Sequence, residues 1–85
     1  MDSTALTQAL QMAEAAGTVR EAAAALRSAF APLKVVVVDA FDMRAEKPAA
    51  QGERRALYFG ASDGHCWQVT SDPTQAAGFF ITDLS

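Results

Sequence analysis

Apolar residues recur at helical spacing through the first third of the chain. Leu6, Leu10 and Ala13 fall on one stripe of a segment running from Ser3 to Ala16, and Gly17 is a natural C-terminal stop. The next four residues, Thr18-Val19-Arg20-Glu21, have the form of a capping box, in which Thr18 caps a second helix and Glu21 reaches back to the Thr18 amide. Val19, Ala22, Ala23, Leu26 and Phe30 carry the second apolar stripe, and Pro32 ends it. The run from Ala22 to Ala25 keeps this helix thin, so a neighbour can approach closely. With so short a junction at Gly17-Thr18, the two helices must form a hairpin or a sharply bent pair.

After Pro32 the period changes. Leu33 to Phe41 reads LKVVVVDAF, a strand in which four consecutive valines fail to alternate with polar residues. Such a run predicts burial on both faces. In an antiparallel sheet with helices on one side, either Val35 and Val37 or Val36 and Val38 face outward and need cover, from this chain or another subunit. Arg44 to Arg54 follows as a long charged connection containing Pro48 and Gly52, the kind of loop that is often mobile or functional.

The stretch from Ala56 to Thr70, ALYFGASDGHCWQVT, predicts a hairpin. A two-residue Asp63-Gly64 loop mixes polar and apolar residues on both faces. A three-residue loop, Ser62-Asp63-Gly64, pairs Phe59 with Trp67 and Leu57 with Val69. It gathers Leu57, Phe59, Ala61, Trp67 and Val69 on one side, with His65 at the turn end. Burial therefore selects the second register, because a one-residue slip exchanges the faces. Gly64 in the left-handed region suits its bulged turn. Tyr58, Gly60, Cys66, Gln68 and Thr70 are then expected on the opposite face, with Ala56.

Asp72-Pro73-Thr74-Gln75 opens a short helical turn capped by Asp72, Gly78 stops it, and Phe79 to Thr82 reads as a final edge strand. The gap from Thr70 to Gly78 is too short for a standard parallel crossover, so this strand runs antiparallel to its predecessor, pairs elsewhere in the sheet, or pairs with another chain. The expected architecture is a single α+β domain over residues 1–85. In it, two N-terminal helices pack on a three- to four-stranded antiparallel sheet whose first strands form a meander, with a short helical turn before the last strand.

Composition narrows the chemistry. With 85 residues, 51% of them hydrophobic, the chain can build one small core, for which oligomerisation is an ordinary source of added stability. A net charge of -3 argues against a sequence-independent grip on nucleic acid. A single cysteine excludes an intrachain disulfide and a four-cysteine zinc site. Neither a membrane span nor a secretion signal is visible, so a cytoplasmic location is expected. The excess of Arg over Lys and the abundant Ala have the look of a bacterial, GC-rich coding bias.

No constellation of catalytic residues emerges. His65 and Cys66 are adjacent on a strand and point to opposite faces, which separates a Cys–His nucleophilic pair. Asp39 and Asp42 also diverge if their strand is regular, leaving no carboxylate pair for acid–base work. Asp63 and His65 lack further ligands at metal-binding spacing, and no cofactor or metal is expected. No glycine-rich phosphate loop precedes a helix.

Two function classes remain. The first is a small non-enzymatic binding or accessory module, a homo-oligomer or docked on a protein partner through an open sheet face. Its interface candidates are Val35, Val36, Val37, Val38, Tyr58 and Gln68. The second is a small-ligand, metal-binding or catalytic pocket at the hairpin tip. It uses Asp63 and His65 with Arg44, Arg54 and Arg55, and the 44–54 loop is its lid. Neither class involves nucleic acid or a membrane.

Overall fold

Helix α1 (Ser3–Ala15) begins where the Asp2 carboxylate accepts the Ala5 N–H at 2.8 Å, so the cap lies one residue ahead of the expected start. Helix α2 (Val19–Ala29) opens with the predicted Thr18 cap, whose Oγ1 accepts the Glu21 N–H at 3.1 Å. The computed structural model describes residues 2–84. Beyond α2 come β1 (Lys34–Val37), β2 (Ala50–Gln51), β3 (Arg55–Ser62) and β4 (Trp67–Thr70). A 3-10 turn over Pro73–Gln75, capped by Asp72, leads into β5 (Gly78–Asp83).

The α+β class matches the sequence reading, and so does the order of elements except for β2, which falls within the expected 44–54 loop and pairs with β3. The sheet has five strands and is mixed, though mostly antiparallel, with β1, β5, β3 and β2 side by side. Strand β4 also pairs with β3, alongside its residues Phe59–Ser62, while β2 lies beside Ala56 and Leu57. Two expectations fail here. The last strand is not an edge but sits in the middle, parallel to β1 and antiparallel to β3. Nor do the first strands form a meander, since β5 separates β1 from β3. The short 71–77 connection suffices because it steps across β3 rather than returning to pair with β4.

Alternation assigns the faces. Val35, Leu57, Phe59, Phe79 and Ile81 point inward and meet Ala9, Ala13, Ala22, Ala23 and Leu26 of the helices in one buried cluster. The four helix alanines have no exposed surface, consistent with close approach. Phe79 lies against Phe59 at 6.3 Å between ring centroids and meets Phe30 edge-on at 6.0 Å. Each of these large side chains contributes about 1.5–3 kcal/mol of gross burial energy.

The strand of the valine run is shorter than its apolar stretch. β1 stops at Val37 because the Asp39 carboxylate takes the Phe41 N–H at 2.8 Å, starting a series of turns. These turns bring Met43 onto the outer sheet face, against Ala56 and Tyr58, with Val38 and Val69 beside them. The outer face thus carries a partial cover from the chain itself.

The hairpin register differs from expectation by three residues. Ser62 pairs with Trp67, Ala61 with Gln68, Gly60 with Val69 and Phe59 with Thr70, leaving Asp63 to Cys66 as a four-residue loop. The odd displacement exchanges the faces of β4. Trp67 and Val69 join Tyr58 and Gly60 on the outer side, while Gln68 and Thr70 turn toward the helix side. Two local features account for it. The Asp63 carboxylate accepts the N–H groups of His65 and Cys66 at 2.9 and 3.0 Å, closing the longer loop, and Gly64 supplies the positive φ of 94°. Gly60, with no side chain, leaves space for the Trp67 indole, whose nearest ring carbon lies 3.1 Å from where a Cβ would stand.

Candidate interaction surface

The outer sheet face divides into two halves. In the covered half, Tyr58 and Ala56 are buried against Met43, and Thr82, paired with Ala56, is buried as well. Phe80 borders both halves: it packs against the Met43 cluster, pairs with Val36 along the ladder, and meets the Trp67 ring edge-on at 6.4 Å. Val36 remains 40% exposed and Trp67 37%, with Phe80 half-buried between them. This strip crosses the sheet from β1 through β5 and β3 to β4. An apolar strip beside a polar hairpin tip has the composition of a protein-contact surface.

Of the interface candidates, Val36 lies in this strip. Val35 belongs to the helix-side core, and Tyr58 to the covered half. Val38 is half-buried against the Met43 cluster. Val37 is 40% exposed, but at the sheet's edge on the helix side. Gln68 is exposed on the side opposite Trp67. Phe80 and Trp67 were missed by sequence reasoning: Phe80 because its strand is central, Trp67 because its register was displaced. The signal for Trp67 was Gly60, a strand glycine beside an aromatic residue's expected row.

The proposed tip pocket does not assemble. Asp63 and His65 lie past the end of β3, whereas Arg54 and Arg55 lie at its start, roughly 25 Å away by strand rise. Arg54 and Arg55 serve the helix instead. Arg55 is 1% exposed and its Nη1 donates to the carbonyls of Ala13 and Ala16 at the C-terminal end of α1. Arg54 Nη1 donates to the Glu14 carbonyl at 2.9 Å. In return the Glu14 carboxylate accepts the backbone N–H groups of Glu53, Arg54 and Arg55, the last at 2.7 Å. Helix carbonyls carry partial negative charge at this end, so the two guanidinium groups complement it. A carboxylate in the last turn of a helix opposes the dipole, and that misfit was the available signal that Glu14 has a tertiary partner.

Arg44 is engaged as well: its guanidinium lies 4.1 Å from the Phe41 ring centroid and donates to the Phe41 carbonyl at 2.8 Å. Among the described residues, no three His, Cys, Asp or Glu side chains gather in a metal-binding group. The Asp63 carboxyl is held below its ordinary pKa by the Cys66 and His65 amides that point at it. Cys66 is a free, exposed thiol. A cavity of about 380 Å³ does exist, but it lies at the start of α1 between Leu6, Phe59, Lys47, Pro48 and Pro73, away from the tip.

Comparison with protein families, with curated proteins and with solved structures returns no significant match to this chain. No helix among the described residues is long and apolar enough to cross a membrane.

Proposed function

We propose that the protein is a small binding or accessory module of the cytoplasm that works by protein–protein contact, with itself or with a partner, through the outer sheet face. The observation that carries this reading is the partly exposed strip of Val36 and Trp67 joined by the half-buried Phe80. A chain of this size builds one small core, and leaving three large apolar side chains partly in water works against its own stability. Docking a complementary surface removes that cost. The reading assigns no catalytic residue.

Trp67→Glu tests it, since the ring is partly exposed and its replacement leaves the helix-side core intact. Native mass spectrometry of gently purified protein is expected to show a second copy or a stoichiometric partner protein for the wild type. The variant, with an unchanged circular-dichroism spectrum, is expected to lose part or all of that association. The same assembly state in wild type and variant would count against the strip as the contact surface.

A further inference from the structure

Among the described residues, the strand that carries the valine run has a neighbour on one side only. Strand β1 pairs with β5, and the bonds from Lys34 N–H to Ala77 and from Val38 N–H to Ile81 fix which amides face inward. In a parallel ladder these alternate, so the N–H and C=O groups of Val35 and Val37 point away from the sheet. Arg27 corroborates the direction by reaching the Val35 carbonyl from that side, with Nη2 at 2.7 Å and Nε at 3.1 Å. The edge has no proline or bulge within β1 to blunt it, and Val36 and Val37 are each 40% exposed.

We infer that this edge pairs with the same edge of a second copy, two β1 strands running antiparallel about a two-fold axis at Val36. Keeping inner and outer faces continuous requires Val36 to oppose Val36 and Val35 to oppose Val37 of the other copy. The outward amides of Val35 and Val37 then form the ladder, and Arg27 shares or leaves the Val35 carbonyl.

Three observations favour a second copy over another partner, and antiparallel over parallel pairing. Arg27 and Lys34 stand at one end of β1, while Asp39 and Asp42 follow its other end. Antiparallel pairing sets basic end against acidic end, whereas parallel pairing would oppose like charges. Beside the basic end runs a groove of about 380 Å³ lined by Ala31, Pro32, Leu33 and Val35. Beyond the acidic end lies Phe41, at 68% the most exposed large apolar side chain among the described residues, with the Arg44 guanidinium over one face of its ring. The same two-fold axis carries the Phe41 end of one copy alongside the groove of the other, filling both grooves.

The pairing deepens the surface reading, because Val36 on the axis would join the outer strips of two copies into one. It can nevertheless fail alone. In Val37→Pro the ring removes an N–H that faces the open edge and leaves the β5 ladder intact. Sedimentation velocity is expected to show a wild-type dimer and a Val37→Pro monomer with an unchanged circular-dichroism spectrum, whereas Trp67→Glu, which leaves the β1 edge untouched, weakens the dimer without abolishing it. A second variant fixes the register. Val36→Cys in a Cys66→Ser background should oxidise to a covalent dimer, because opposed residues in a non-hydrogen-bonded pair lie about 4.5 Å apart between Cα atoms, within disulfide reach. A monomeric wild type, a Val37→Pro dimer, or no crosslink at Val36 would overturn the edge pairing. If Trp67→Glu alone dissolved the dimer, the outer strip would stand and the edge would not.

Discussion

The two ends of β3 are built on opposite principles. At its start, Arg54 and Arg55 and their neighbouring amides meet Glu14 and the end of α1, partners 39 to 42 residues away in sequence. At its far end, the hairpin loop is held by Asp63 bonding amides two and three residues on. The first arrangement ties helix to sheet around the buried Arg55 guanidinium, and the second orders only itself. Disturbing a long-range buried clamp should therefore lower the stability of the whole domain, whereas disturbing the tip should stay local.

The largest effect is expected from Arg55→Ala. The guanidinium is buried, and its removal leaves the Ala13 and Ala16 carbonyls without these donors and opens a cavity. A loss of about 3 kcal/mol follows from combining the two, a large share of the roughly 5–15 kcal/mol typical of a domain. Urea denaturation measures it. A loss below about 1 kcal/mol would show that the clamp is incidental to stability.

Gly52→Ala comes next. A Cβ there would collide with the Glu14 carboxylate, which three backbone N–H groups hold in place. Glu14 must then leave its amides, at a cost of about 1–2 kcal/mol. The diagnostic comparison is Gly52→Ala combined with Glu14→Ala. With the carboxylate gone, the added methyl should cost little more than Glu14→Ala alone. Additive losses would mean that Gly52 is needed for some other reason.

The same contrast explains what could be read from the chain beforehand. Local signals were legible: the Thr18 cap, the Asp72 cap, the two helical stripes and the presence of a hairpin all rest on residues within one turn of each other. Pairings that depend on distant residues were not. Nothing local to Phe79–Thr82 says that it separates β1 from β3, because a strand's neighbours are chosen by the whole sheet. The valine run was half legible, since Val35 is in the core and Val38 half-buried, yet Val36 and Val37 sit at an edge the sequence could not locate. The hairpin register failed for a different reason. Burial favoured putting Trp67 beside Phe59, but the second apolar layer, with Phe80 and the gap at Gly60, offered the indole an equally good home. Where both faces of a sheet are apolar, burial no longer selects a register, and the loop's own hydrogen bonds decide.

Because the loop's own hydrogen bonds set the register, the smallest effect, at the tip, is an informative one. The Asp63 carboxylate is fully exposed, yet it accepts the His65 and Cys66 amides, and these hold its pKa below the ordinary aspartate value of 3.8. A carboxyl with a depressed pKa in the folded state favours that state above its unfolded pKa, and the contribution disappears as pH falls through the folded value. The loop should therefore keep its form through neutral and mildly acidic pH and loosen only below 3.8. Amide chemical shifts of His65 and Cys66, followed by NMR against pH, should move together with a midpoint under that value, while the amides of Glu53 to Arg55 do not follow them. Asp63→Asn should abolish the shared transition and leave global stability nearly unchanged. A midpoint at or above 3.8, or a parallel loss of the Glu14 clamp, would show that the two ends of β3 are coupled after all.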